Sequence, residues 1–138
     1  MTQLIDPAWA PVALRLVLGA VFVVHGLPKL KDLKGTAGFL GGLGFKPGMF
    51  WALVLGVTEF FGGIAILLGV VSRIASGLLI ISMLIATLLK KFKWGVPFTK
   101  GHEAGWEWDL VLLGGVIALF ILGSGNWSVD QMMGWIWG

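Results

Sequence analysis

Apolar residues fill long stretches of this chain almost without interruption, and polar residues collect in the gaps between them. Four such stretches stand out: about Ala8 to Leu27, Met49 to Val71, Ile74 to Leu89, and Trp106 to Leu122. Crossing a bilayer as a helix takes about 20 residues, so each stretch reads as a span, the third being short. Strands are a poor alternative, because the apolar runs do not alternate and four short segments cannot close a barrel. The pattern predicts an all-α fold: one domain, residues 1–138, built as a four-transmembrane-helix bundle. Between spans one and two, Gly35 to Phe45 predicts a short interfacial helix or re-entrant segment, stopped by Lys46-Pro47-Gly48. Ser128 is placed to cap a short interfacial helix that follows it.

Composition agrees. The mean hydropathy is +0.93, and charged residues make up 12% of the chain, roughly half the share of a soluble domain. A disordered chain is excluded by the same numbers. The absence of cysteine excludes disulfides and thiol chemistry. A net charge of +3 does not point to nucleic acid in so apolar a chain; the partner it implies is the lipid bilayer.

The distribution of charge sets a direction. Lys29, Lys31, Lys34 and Lys46 lie between spans one and two, and Lys90, Lys91, Lys93 and Lys100 between spans three and four, which is 8 of the 10 basic residues. Arg73 stands alone on the opposite side. The positive-inside rule then predicts both termini outside the cytoplasm of a multi-pass membrane protein. Trp9, Trp127, Trp135 and Trp137 fall at the outer boundary and Trp51, Trp94, Trp106 and Trp108 at the inner one, as headgroup anchors. The N-terminus lacks a basic leader and a small-x-small site, so span one is expected to stay in the mature protein.

Two charges lie where the membrane resists them, Arg15 in span one and Glu59 in span two. Such groups normally face the bundle interior and find partners. Counted at 1.5 Å per residue, Arg15 sits roughly 10 Å and Glu59 roughly 18 Å below the outer surface, so an Arg15–Glu59 pair is geometrically possible. Two readings stand: a lock that fixes the register of the two helices, or part of a polar cavity for a ligand or protons. Gly56 and Gly63 share the Glu59 face and serve either close packing or space for a ligand.

His25, at the inner end of span one, lies too far from Arg15 to touch it, roughly 15 Å along the axis. Glu107 and Asp109, opening span four, stand at its depth, and either can hold its imidazole. Arg73 reads as a headgroup contact, and Lys90, Lys91 and Lys93 as an orientation signal that also attracts anionic lipid. Arg15, His25, Glu59 and Glu107 are therefore the candidate ligand-binding residues, with Arg73 and Asp109 secondary. No metal set is proposed, no catalytic residue is assigned, and neither a phosphate loop nor a dinucleotide fingerprint is present.

Several of these residues also form an ordered series. Span one carries Arg15, Gly19, Phe22, His25-Gly26 and Lys29; span two carries Glu59, Gly62-Gly63, Leu67-Leu68-Gly69 and then Arg73. Gly105-Trp106-Glu107 opens span four, and Gly125-Asn126-Trp127-Ser128-Val129-Asp130 closes the chain. In order and spacing the series resembles the DoxX family of small four-helix prokaryotic membrane proteins, over nearly the whole length. Asn126 and Trp127 depart from the basic residue and tyrosine usual in the closing motif. The resemblance implies a four-helix fold, a place in a prokaryotic cytoplasmic (inner) membrane, and a redox context, since members are associated with quinone-linked and oxidative-stress complexes.

Two classes of function follow. In one, the protein is a quinone-interacting subunit of a redox complex; no cofactor is encoded, a quinone is the candidate ligand, and electrons come from a soluble or membrane redox partner. In the other, it is a non-catalytic module that binds or passes a small solute or anchors a soluble partner. Either is compatible with a homo-oligomer.

Overall fold

The first described element is a 3-10 turn, Pro7–Trp9, whose Ala8 N–H is capped by the Asp6 carboxylate at 2.9 Å. The computed structural model describes residues 5–136, so the anchoring expected of Trp137 lies outside the described residues. Six helices follow: α1 (Ala10–Lys31), α2 (Leu33–Gly42), α3 (Gly48–Leu68), α4 (Ser72–Leu88), α5 (Trp106–Leu122) and α6 (Val129–Met133).

The elements are those the apolar pattern predicts, with two extensions. α1 does not stop at Leu27 but runs through Pro28 to Lys31. Proline removes one N–H from the ladder, so the Val24 carbonyl loses its usual donor one turn before the helix ends, where a single missing bond does not break the helix. α4 continues into a π-helical turn, Leu89–Lys93, in which Trp94 N–H reaches the Leu89 carbonyl at 3.0 Å. That turn lengthens the short third span: among the described residues, Pro7–Lys31, Gly48–Leu68 and Ser72–Lys93 are long and apolar enough to cross a membrane. α5, with 17 residues, spans roughly 25 Å at 1.5 Å per residue and completes the bundle. α2 is the expected interfacial helix, capped at Gly35 N–H by Asp32, and α6 is capped at Gln131 N–H by Ser128.

Burial is inverted relative to a soluble protein. Val24, Val111 and Ile121 are each more than 60% exposed, on faces that suit lipid, whereas Arg15, Glu59, Asp109 and Asp130 are buried. The apolar core is small: Leu18 and Phe22 of α1, Ile66 of α3, Leu79 of α4, and Val116 and Leu119 of α5.

The helices associate as two pairs, α1 against α3 and α4 against α5. Glycine makes the first pair close. On α1, a Cβ at Gly19 would lie 2.9 Å from the Gly63 carbonyl, and one at Gly26 would overlap the backbone of Phe60. On α3, a Cβ at Gly63 would lie 2.8 Å from Val23 N. Small residues let backbones approach in this way where no hydrophobic effect drives helices together. Gly56 and Gly63 thus serve packing, Gly56 against Leu30.

Candidate functional site

Polar side chains gather at both ends of the bundle, with the apolar core between them. The expected Arg15–Glu59 pair does not form. Arg15, 4% exposed, turns toward the end that carries the termini. Its Nε donates to the Ile66 carbonyl (3.0 Å), Nη1 to those of Ser124 (3.0 Å) and Asn126 (2.8 Å), and Nη2 to those of Leu67 (3.1 Å) and Trp127 (3.0 Å). A guanidinium has five N–H donors, and all five are used. Ile66 and Leu67 belong to the last turn of α3, whose carbonyls have no partner within the helix and carry the negative end of its dipole.

Asp130 does the reverse for α4. It is 1% exposed, and its carboxylate accepts from Val71 N–H (2.7 Å) and Ser72 N–H (3.0 Å) while its own N–H reaches the Gly69 carbonyl (2.9 Å). Val71 is held at φ 42, a left-handed conformation costly for a β-branched residue; the Asp130 bond to its N–H holds the turn there. Arg73 donates to the Phe120 carbonyl at 3.3 Å. This end is dense with hydrogen bonds, although the buried Ser72 hydroxyl has no partner among the described residues, and Arg15 acts in it as a tie between α1, α3 and the segment after α5.

The lysine-rich end is different. A cavity of about 650 Å³ lies between the α1/α3 pair and the α4/α5 pair, roofed by α2. Its lining is mostly apolar, with Phe22 and Met83 toward the core and Phe39, Trp51, Trp94 and Trp108 toward the mouth. Each helix pair contributes one ion pair to its wall. Lys29 of α1 binds Glu59 of α3, and Lys90 of the π-helical turn binds Asp109 of α5 at 2.7 Å. His25 also lines the cavity, and among the described residues its imidazole makes no hydrogen bond to Glu107 or Asp109. The Ser82 hydroxyl, another lining group, is buried without a hydrogen-bond partner among the described residues.

Of the residues expected to form a site, the structure brings His25, Glu59 and Asp109 to one cavity. Arg15 and Arg73 lie at the other end. Glu107 points back toward Gly105 and is not among the cavity's lining residues; its buried Oε2 has no hydrogen-bond partner among the described residues. Lys29 and Lys90, read in the sequence as orientation charges, are the cations of the cavity. The signal for Lys29 was its i+4 spacing from His25, which places both on one face once the helix passes Pro28. Among the described residues no group of three or more His, Asp or Glu is arranged to hold a metal.

The family model for DoxX matches residues 10–91. A Bacillus subtilis protein named "Putative oxidoreductase CatD" is 32% identical over 120 residues, which is 87% of this chain and 84% of the relative. The Mycobacterium tuberculosis membrane protein Rv3486 is 32% identical over 131 residues, covering 88% of this chain and 80% of the relative. The Escherichia coli inner membrane protein YqjF is 30% identical over 124 residues, 89% of this chain and 91% of the relative. No solved structure matches the chain.

Proposed function

Because the chain belongs to the DoxX family of membrane proteins, we propose that it binds a quinone, or a similar flat apolar molecule with a polar head, in the cavity at the lysine-rich end, as the membrane subunit of a redox assembly. One observation carries this reading: an apolar cavity of about 650 Å³ that holds an ion pair on each of two facing walls. Ligand pockets of this size are mainly apolar, with a few convergent polar groups that fix orientation. Quinone oxygens only accept hydrogen bonds, so the site must donate them. Lys29 and Lys90 each have three N–H groups; Lys29 donates one to Glu59, and Lys90 faces Asp109 as an ion pair, so donors remain on both. The carboxylates hold the ammoniums in place and offset the cost of charge beside the apolar core. His25 and the free Ser82 hydroxyl add two more donors.

The redox context comes from the relative named as an oxidoreductase. The name of the Escherichia coli relative supports a place in a prokaryotic cytoplasmic membrane. A quinone, when bound, supplies the electron-carrying chemistry, and a redox partner supplies the electrons. Passage of a solute across the membrane is not favoured, because Ile66, Leu79, Val116 and Leu119, outside the cavity lining, are fully buried in the core.

The test is purification in mild detergent, solvent extraction of any quinone, and thermal unfolding with added decylubiquinone. Binding selective for the folded state stabilises it by about 2.7 kcal/mol at 100 times Kd, which raises Tm. His25→Phe and Glu59→Gln should each reduce that rise. No extracted quinone and no shift with any quinone would overturn the proposal.

A further inference from the structure

The roof of the cavity is built from an unusual helix. α2 has the sequence LKGTAGFLGG, and glycine in a helix interior is costly unless a close approach requires it. Two glycines nearby have such a reason. A Cβ at Gly35 would collide with the capping Asp32 carboxylate, and one at Gly48, which opens α3, would overlap the Ala37 carbonyl. The second contact pins the middle of α2 to the start of α3.

Beyond that pin the reason disappears. Gly38, Gly41, Gly42 and Gly44 have nothing within 4 Å of where a Cβ would be. They therefore lower the helical stiffness of segment 38–44 without improving its packing, and its one buried side chain is Leu40. This segment covers part of the cavity, with Phe39, Leu40 and Leu43 in its lining. Phe39 stacks on Trp94 with ring centroids 5.7 Å apart, and the Leu43 carbonyl accepts from Lys93 Nζ at 3.3 Å. Both contacts cross from the α1/α3 half to the end of α4. Both are weak and open to the surroundings: Phe39 is 56% and Trp94 41% exposed. At the opposite end, the Arg15 and Asp130 networks tie the two halves together, so any parting of the halves is greatest here.

We propose that residues 38–44 are the gate of the cavity: they hinge after Ala37, part Phe39 from Trp94 and Leu43 from Lys93, and admit an apolar ligand from the membrane interface between the two helix pairs. The gate serves the ligand site proposed above, but its opening is measurable without a ligand.

The chain has no cysteine, so a single Ser82→Cys change places one thiol inside the cavity. Its rate of reaction with N-ethylmaleimide in folded, detergent-solubilised protein reports how often the gate is open. Phe39→Ala in that background should raise the rate several-fold, and the milder Trp94→Phe should raise it less. Gly38→Ala, Gly41→Ala and Gly42→Ala together have room for their methyl groups and should lower it several-fold by stiffening the helix. Stopped-flow quenching of tryptophan fluorescence by decylubiquinone, with Trp51 and Trp108 on the cavity wall, should show association rates moving in the same directions. Labelling rates that ignore all of these changes overturn the gate, whether or not quinone binds. Labelling that responds while decylubiquinone never quenches upholds the gate and removes the quinone reading.

Discussion

Arg15 shows how far one residue's role can lie from the partner that charge suggests. Its five donors end on five backbone carbonyls, in two segments more than 50 residues apart. Removing it leaves those carbonyls to an apolar environment, so Arg15→Met should destabilise the protein by about 3–5 kcal/mol, the range for breaking a buried charged network. Arg15→Lys should rescue little, because an ammonium has three donors and no planar fork. Thermal or denaturant unfolding in detergent measures both. A double-mutant cycle then separates the two ends of the bundle. Arg15→Met and Glu59→Gln should be additive, since they share no partner, whereas Lys29→Met and Glu59→Gln should show coupling. Coupling between Arg15 and Glu59 would contradict the geometry. That Arg15 and Glu59 are buried was legible in the sequence, because any charge inside an apolar run must be. Their partners were not, since backbone carbonyls leave no mark on a side-chain pattern. Lys29 was hidden by Pro28, which reads as a helix end although the helix runs on for three residues beyond it.

At the level of elements, hydropathy locates spans well because each helix satisfies its own backbone, and its apolar length is a local property. The six helices fall where the pattern puts them, and the errors lie at ends set by tertiary contacts. The π-helical turn after Leu88 is one: it presents Lys90 to Asp109 of the neighbouring α5, and no local periodicity announces it. Glycine is the other source of ambiguity, since the letter is the same whether two backbones touch or nothing is near. The structure separates these cases, and stability measurements should follow. Gly26→Ala must push α1 away from Phe60 and should cost about 1–3 kcal/mol, as overpacking does. Gly114→Ala, with nothing within 4 Å, should be neutral or stabilising by up to about 1 kcal/mol through helix propensity. Equal effects at the two sites, read as shifts in Tm, would mean that the α1/α3 crossing is looser than described.

The whole molecule has polarity, tied at one end and hollow at the other. Arg15 and Asp130 join α1, α3, α4 and the segment after α5 near the termini, while each half is clamped separately at the lysine-rich end, by Lys29–Glu59 and Lys90–Asp109. The lysines that flank the cavity are also those that bear on orientation. The positive-inside rule counts basic residues in short loops, and 8 of 10 lie at the hollow end. Two of the eight are engaged in ion pairs within the bundle, which leaves Lys31, Lys34, Lys46, Lys91, Lys93 and Lys100 against Arg73 alone. The bias survives that subtraction, so the cavity mouth and its gate are expected to face the cytoplasm and both termini the opposite side. A reporter fused after Gly138 that fluoresces only in the cytoplasm should stay dark, and one inserted at Gly101, in the loop between α4 and α5, should be bright. The reverse result would place the mouth on the outer face, and a redox partner would then have to be sought there.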